Sequence, residues 1–446
     1  MSQSSLNLRP SEKWGERLYF GLQFLRRGVD RSQVRVASQL LDGTADEIRE
    51  HVTRRLKETH EPGKHDPLTW LDSQPLLVRG SLDDHTTTWP WYRRFRRFEL
   101  KKTSGSTGQP VRLCKDMAMA ARIDATLWAL YGWHGITPGM RHARFWGLPP
   151  GRFNQIIRQL LDRTLQRKRF NAFRLTKGRV KDFFVDLLAF QPRYVHGYPS
   201  LVDEFVRMAS EASLDGRDLG VKVVFLTGEM LRDSVRERVS SFFGARVVNE
   251  YGCSESGLLT FECESGRCHL IPFAAFPEVV DSANRRICDQ GTGEVVVTDL
   301  FGTHLPLRRY RLGDRIVVKK RAGCECGRAL PVVEISAGRV SSFITLPSGR
   351  QVFAAAIAYS MPSEVRRFQA RQVALDRLEV DVELPPNQPA DSILKTCHLT
   401  LHKVVNNEIT VTVRSVHRIP QESGGKLRYL IPLTDSEARS CLDAPP

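Results

Sequence analysis

Hydrophobic and polar positions change their period along the chain, and each change predicts a different structure. The first hundred residues read as helical and polar. Residues 117–131 are rich in Ala, Leu and Met and hold no Gly or Pro, which predicts one long, partly buried helix. The pattern then alternates: a strand at 194–196, a helix at 199–212, a strand at 221–226, a helix at 232–243 and a strand at 246–249. Strands joined by helices imply a parallel sheet with crossovers. Beyond Tyr251 short strands at 258–262, 294–299, 307–311 and 315–318 are separated by Gly and Pro, which predicts mostly antiparallel pairing. After the break at Ala337-Gly338-Arg339 come strands near 373–374 and 378–383, a helix at 393–406 and a strand at 409–413, a small α+β lobe. The expected organisation is α/β: a helical region over 1–90, a large core over 91–338 and the small lobe over 339–446. No internal repeat is present at a period of ~20–50 residues, which argues against solenoids and propellers.

Composition narrows the class. With 446 residues, 41% hydrophobic and 26% charged, the chain is too long for one small binding module and apolar enough to bury a core. No apolar run approaches the ~18–20 residues of a membrane helix, and the polar start carries no signal core, so a cytoplasmic protein that does not enter a membrane is expected. The formal charge of +16 raises the local concentration of anions, whether nucleotides, nucleic acid or an acidic partner. Its densest stretch, 89–102, interleaves Trp, Tyr and Phe with Arg and Lys; it reads either as a stacking surface for single-stranded nucleic acid or, preferred here, as a solvated basic face beside an anion site. Nine cysteines in so long a chain do not suggest a disulfide framework. Cys324-Glu-Cys326 in a Gly-flanked turn, with Cys263, Cys268 and His269 upstream, instead suggests metal. Soft thiolates with one imidazole suit structural zinc: Cys263, His269, Cys324 and Cys326, with Cys268 as a substitute; the alternative is unrelated free thiols.

The sharpest chemical feature is Lys101-Lys-Thr-Ser-Gly-Ser-Thr-Gly-Gln-Pro110. Small residues let backbone amides approach an anion, hydroxyls add donors, and the lysines add positive field, so the run reads as a phosphate cradle; the alternative is a polar linker. It has neither the Gly-Lys-Ser/Thr of a Walker loop nor a dinucleotide Gly-x-Gly-x-x-Gly.

With Pro110, the run Thr103, Ser104, Gly105, Ser106, Thr107 and Gly108 resembles the phosphate loop of the adenylate-forming enzymes, the superfamily of acyl-coenzyme A synthetases and adenylation domains. Tyr251-Gly-Cys-Ser-Glu255, Tyr310-Arg-Leu-Gly-Asp314 and Pro420-Gln-Glu-Ser-Gly-Gly-Lys426 follow in that superfamily's order. Thr227-Gly-Glu229, the Cys-x-Cys turn and Phe368-Gln-Ala-Arg-Gln372 look most like the phenylacetate-coenzyme A ligase branch and its capsule-biosynthesis relatives. The resemblance covers about residues 90 to 432 and implies a large multi-subdomain adenylate-forming domain with a small mobile C-terminal lobe. It also implies ATP-dependent activation of a small carboxylic acid with release of pyrophosphate, then transfer to coenzyme A or a carrier-protein phosphopantetheine thiol. Transfer to an amine or hydroxyl acceptor is a second enzyme reading; a zinc-containing nucleic-acid-binding protein is a reading of another class, disfavoured by the intact motifs.

Carried onto this chain, the resemblance implies roles for single residues. Thr103, Ser104, Ser106 and Thr107 hold the outer phosphates and Glu255 ligates magnesium. Glu229 and Tyr251 border the adenine, Asp314 accepts the ribose hydroxyls, and Arg339 contacts ribose or phosphate. Lys426 neutralises charge between carboxylate and α-phosphate. Trp146, His196, Gly197 and Tyr198 line the acyl pocket and suit a planar aromatic acid; His196 reads equally as a packed core residue. The chain departs from the family at the hinge, where Val340-Ser341-Ser342 stands in place of the usual acid after Gly338-Arg339.

Overall fold

The computed structural model describes residues 10–78, 98–102, 112–146, 161–171, 177–302, 306–320, 323–335, 343–348, 351–353, 357–358, 360–362, 364–385, 389–420 and 427–433. The basic stretch 89–97, the hydroxyl-rich run 103–111, the break at 336–342 and Lys426 therefore lie outside the described residues.

The leading residues are helical as predicted: α1 (Pro10–Arg27), α2 (Arg31–Leu41), α3 (Ala45–His60) and α4 (Pro67–Ser73). Local chemistry sets their starts. The Asp30 carboxylate accepts from the Gln33 N–H at 3.0 Å, Thr44 and Glu47 form a reciprocal capping box, and Pro67 opens α4 where no amide partner is needed. Their apolar faces, with Leu41, Val52, Leu56 and Leu71, join one core cluster with a large sheet.

Two strands, β1 (Phe98–Lys102) and β2 (Arg112–Asp116), pair antiparallel around the hydroxyl-rich run. Asp116 then caps α5 (Met117–Gly132), accepting from the Met119 N–H at 2.8 Å. The alternating stretch builds β3 (His142–Trp146), β4 (Arg167–Asn171), α6 (Val180–Phe190), β5 (Tyr194–Gly197), α7 (Pro199–Glu211), β6 (Val223–Thr227), α8 (Asp233–Phe243) and β7 (Arg246–Cys253). These strands run parallel in the order β4-β3-β5-β6-β7. One sheet face, with Tyr194, Phe225 and Val248, packs against α5, where Tyr131 stacks on Phe225 at 3.9 Å between ring centroids. Phe145, Val195, Val224 and Leu226 on the other face lie in one core cluster with α6, α7 and α8. Gly197 is required between the layers: a Cβ there would lie 2.8 Å from Phe145 Cβ.

The antiparallel strands β8 (Gly257–Glu262), β9 (Cys268–Leu270), β10 (Ala275–Val280), β11 (Gly291–Asp299), β12 (Tyr310–Val318) and β13 (Val332–Glu334) extend this same sheet to eleven strands, in the order β10-β11-β12-β13-β9-β8-β7-β6-β5-β3-β4. The pair of strands expected at 307–311 and 315–318 is one strand, β12. It runs through Gly313 at φ +74°, and β11 accommodates it by a register shift between Glu294 and Val296.

A second sheet, ordered β18-β17-β16-β19, uses β16 (Arg367–Ala374), β17 (Arg377–Glu383), β18 (Thr410–Ser415) and β19 (Leu430–Ile431) and is covered by α9 (Ala390–Val404). Before it a two-stranded hairpin joins β14 (Phe343–Thr345) to β15 (Gln351–Phe353). Phe368, Val380, Cys397 and Leu401 form its own core. The two bodies meet at Met230, which packs on that core, and at buried Glu204 of α7, which pairs with Arg366 at 3.1 Å and Arg367 at 3.6 Å. Among the described residues no helix is long and apolar enough to cross a membrane.

His51 of α3 is 5% exposed and stacks on Phe273 at 5.2 Å, and burial holds its pKa down at about 4, against an ordinary 6.5. The unfolded chain takes up this proton as pH falls through 6.5 and the folded chain does not, so acid removes stability between pH 6.5 and about 4. Between pH 7 and pH 5 the loss from this group is ~2 kcal/mol. Denaturant unfolding of His51→Phe at those two pH values is expected to show a smaller drop than the parent. An identical drop would remove His51 from the acid response.

Candidate active site

Parallel strands of an open α/β sheet place ligands beyond their carboxyl ends, and the motif residues that are described gather there. Tyr251 on β7 donates its hydroxyl to Asp314 Oδ2 at 2.7 Å, bringing together two motifs sixty-three residues apart. Glu255 sits half-buried on the β7–β8 turn and makes no ion pair among the described residues. That turn is anchored from beneath. Ser256 Oγ donates to Asp299 Oδ1 at 3.0 Å, and Asp299 Oδ2 accepts from Lys115 Nζ at 2.5 Å and from the Leu307 N–H at 2.9 Å. Lys115 and Asp299 are both buried, so their charges are matched where an unpaired one would be costly. Lys115 belongs to β2, so this network ties the strand after the hydroxyl-rich run to the turn carrying Glu255. Sequence reading missed it; the only signal was a lysine at an inward position of a short strand.

Glu229, expected from the sequence to border the adenine, makes contacts that expectation did not include. Its carboxylate accepts from Ser200 N at 3.0 Å and Ser200 Oγ at 3.0 Å, capping α7 from outside the helix, and from the Leu427 N–H at 3.0 Å. One side chain of the large body thus holds the backbone next to Lys426.

Trp146, His196 and Tyr198 come together at the ends of β3 and β5. Trp146 lies 4.1 Å from the Tyr198 ring and 5.5 Å from the His196 ring, centroid to centroid. Gly197 does not join this group: it faces the opposite side of the sheet, against Phe145. His196 Nε2 stands 3.5 Å from buried Glu250 Oε2. Burial, then Glu250, pushes the Tyr131 phenol well above its usual range. Glu250 and Tyr131 were not foreseen: Tyr131 ends an apolar helical run and Glu250 stands between Asn249 and Tyr251, with nothing local to mark either as buried. Thr103, Ser104, Gly105, Ser106, Thr107, Gly108, Arg339 and Lys426 lie outside the described residues.

A second cluster lies where β13 pairs with β9. The ligand atoms of Cys263, His269, Cys324 and Cys326 all fall within 4.8 Å of one another. Cys263 Sγ is 3.7 Å from Cys324 Sγ, and Cys326 Sγ is 3.4 Å from His269 Nε2. A tetrahedral zinc with sulfur at ~2.3 Å and nitrogen at ~2.0–2.1 Å sets edges of ~3.75 Å between sulfurs and ~3.5 Å from sulfur to nitrogen, which these two separations match. His269 Nδ1 is 3.1 Å from the Leu330 carbonyl, a contact that places the proton on Nδ1 and turns the Nε2 lone pair to the thiolates. Cys268 is outside the cluster, because neighbouring side chains on β9 point to opposite faces.

No known family's sequence profile matches the chain. Protein CapK of Staphylococcus aureus is 22% identical over 338 residues, 74% of this chain and 73% of that protein. The crystal structure of 2-hydroxyisobutyryl-CoA ligase in the postadenylation state, in complex with R3-HIB-AMP, matches 92% of this chain and 90% of its own with a TM-score of 0.67 at 20% identity. This is the fold of the adenylate-forming ligases. The adenylate-forming fold is shared at lower likeness with the amide bond synthetase McbA from Marinactinospora thermotolerans, at a TM-score of 0.52 and 14% identity over 73% of this chain and 67% of that one. Against the same 2-hydroxyisobutyryl-CoA ligase in the thioesterification state the TM-score is 0.52, at 96% coverage of this chain and 94% of that one.

Proposed function

We propose that this chain activates a small carboxylic acid with ATP and then passes the acyl group to a thiol, that of coenzyme A or of a carrier-protein phosphopantetheine. The observation that carries the reading is a pair of contacts at the carboxyl ends of the neighbouring strands β6 and β7, Tyr251 with Asp314 and Glu229 with the backbone beside Lys426. In the reaction a carboxylate oxygen attacks the α-phosphorus and the bond to pyrophosphate breaks, so the protein's task is to position two anions and offset the charge between them.

On this reading the hydroxyls and amides of Thr103 to Gly108 hold the outer phosphates. Asp314 accepts the ribose hydroxyls, oriented by the Tyr251 hydroxyl, and Arg339 adds a contact to ribose or phosphate. Glu255, free of ion pairs among the described residues, is the carboxylate that would hold magnesium, which when bound neutralises phosphate charge. Trp146, His196 and Tyr198 border the acyl group. The thiolate and imidazole cluster would hold a structural zinc, joining the β8–β9 hairpin to the β12–β13 connection. The likeness to CapK supports the capsule-biosynthesis ligase-like branch, while the phenylacetate-coenzyme A ligase-like reading rests on the motifs of the sequence.

Acid-dependent ATP–pyrophosphate exchange across aromatic and aliphatic acids tests the first step, and product analysis with coenzyme A against amines tests the second. Exchange with at least one acid, followed by thioester formation, is expected. Amide products alone would move the chain to an amine-acceptor activity, for which the likeness to an amide bond synthetase speaks. No exchange with any acid, together with salt-sensitive binding to DNA or RNA without ATP, would overturn the ligase reading.

A further inference from the structure

The sheet face beneath the proposed acyl site carries three arginines, two of which pair with one acid, Asp162. In register across β4, β3 and β5 stand Arg169, Arg144 and His196, and one step toward the amino ends of the strands stand Arg167, His142 and Tyr194. Asp162 engages both Arg167 and Arg169, at 2.6 and 2.9 Å. Among the described residues Arg144 has no carboxylate partner. Its Nε is buried without a hydrogen bond, and its guanidinium carbon lies 4.3 Å from the centre of the Trp146 ring, in the same aromatic group as Tyr198 and His196. The residue is half-buried, so part of it remains accessible. Burial, then Arg167 and Arg169, holds its pKa down at about 10, so it stays charged at neutral pH. Glu250, the nearby buried acid, faces His196 and Tyr131.

The buried Nε without an acceptor carries a desolvation cost, and the accessible part of the same guanidinium is free to take an anionic ligand. Resting on the ligase reading above, we propose that the acid substrate carries a second anionic group, a distal carboxylate, which Arg144 binds beside Trp146 and Tyr198. Arg144 is then the residue that sets specificity between diacids and their neutral counterparts. The aromatic surface expected to stack on the acid is in part already used internally, by the Trp146–Tyr198 and Trp146–Arg144 contacts.

The test is ATP–pyrophosphate exchange with acids matched in pairs: terephthalate against benzoate, and adipate against hexanoate. The parent is expected to favour the diacid in at least one pair by ~10–100-fold in kcat/KM, the range of a charge-assisted hydrogen bond. Arg144→Leu should lose that preference through a raised KM for the diacid, with KM for ATP unchanged, while Arg144→Lys should keep part of it and, by retaining the charge, guard against a folding defect in the leucine variant. Preference for the neutral acid in every pair, or a pair ratio that Arg144→Leu leaves unchanged, overturns the inference and leaves the ligase reading standing. Exchange with none of the four acids, nor with the wider panel, overturns the ligase reading itself and this inference with it.

Discussion

Lys426→Ala is expected to slow ATP–pyrophosphate exchange by ~100–1,000-fold while ATP still binds, the loss typical of one charge-stabilising contact at a reacting centre. The charge between an attacking carboxylate and an α-phosphate exists only on the way to the adenylate, so a cation placed there lowers the barrier without being needed to seat the nucleotide. A lysine suits this role because its ammonium is a compact point charge on a flexible stem. The structure supplies the placement of its neighbour: the Leu427 N–H is held by Glu229 at 3.0 Å, and Leu430 pairs with Ala370 on the second sheet. Burial, then Glu229, raises the Tyr429 phenol above its usual range, consistent with a segment packed tightly between the two bodies. Equilibrium ATP binding measured beside exchange separates the outcomes. Exchange within about threefold of the parent, far short of that loss, would remove Lys426 from the mechanism.

The purified protein is expected to hold one zinc per chain, and Cys324→Ser/Cys326→Ser to hold almost none and to melt well below the parent. Metal bound at ~100 times its Kd contributes ~2.7 kcal/mol to the folded state, and a large domain shifts by ~2–4 °C per kcal/mol, so the expected fall in Tm is ~5–10 °C. The metal would act as a cross-link, because it joins Cys263 and His269 to a turn about sixty residues further along the chain, at the edge where β13 inserts between β12 and β9. Elemental analysis and thermal melting of both proteins check this. A zinc content near zero in the parent, or the same content in the double variant, would eliminate the site.

Wherever a local rule could operate, the amino-acid sequence alone determined the element. The run 117–131 became α5 because a Gly- and Pro-free helical segment needs only an Asp cap, and the alternating stretch became parallel strands because helical crossovers leave no other pairing. That Cys263, His269, Cys324 and Cys326 would gather was also legible, since cysteine and histidine are scarce and chemically distinctive. Tertiary structure decided what no window of sequence contains. That the antiparallel strands continue the parallel sheet depends on β7 pairing with β6 on one side and β8 on the other, a matter of which edges remain unpaired. β3 and β4 were missed because His-Ala-Arg-Phe-Trp and Arg-Lys-Arg-Phe-Asn look polar, and only their neighbours show which side of each is covered. For the same reason the enclosure of Arg144, Lys115, Asp299 and Glu250 could not be read from the sequence. A charged residue signifies a site when it is enclosed, and enclosure is made by distant parts of the chain.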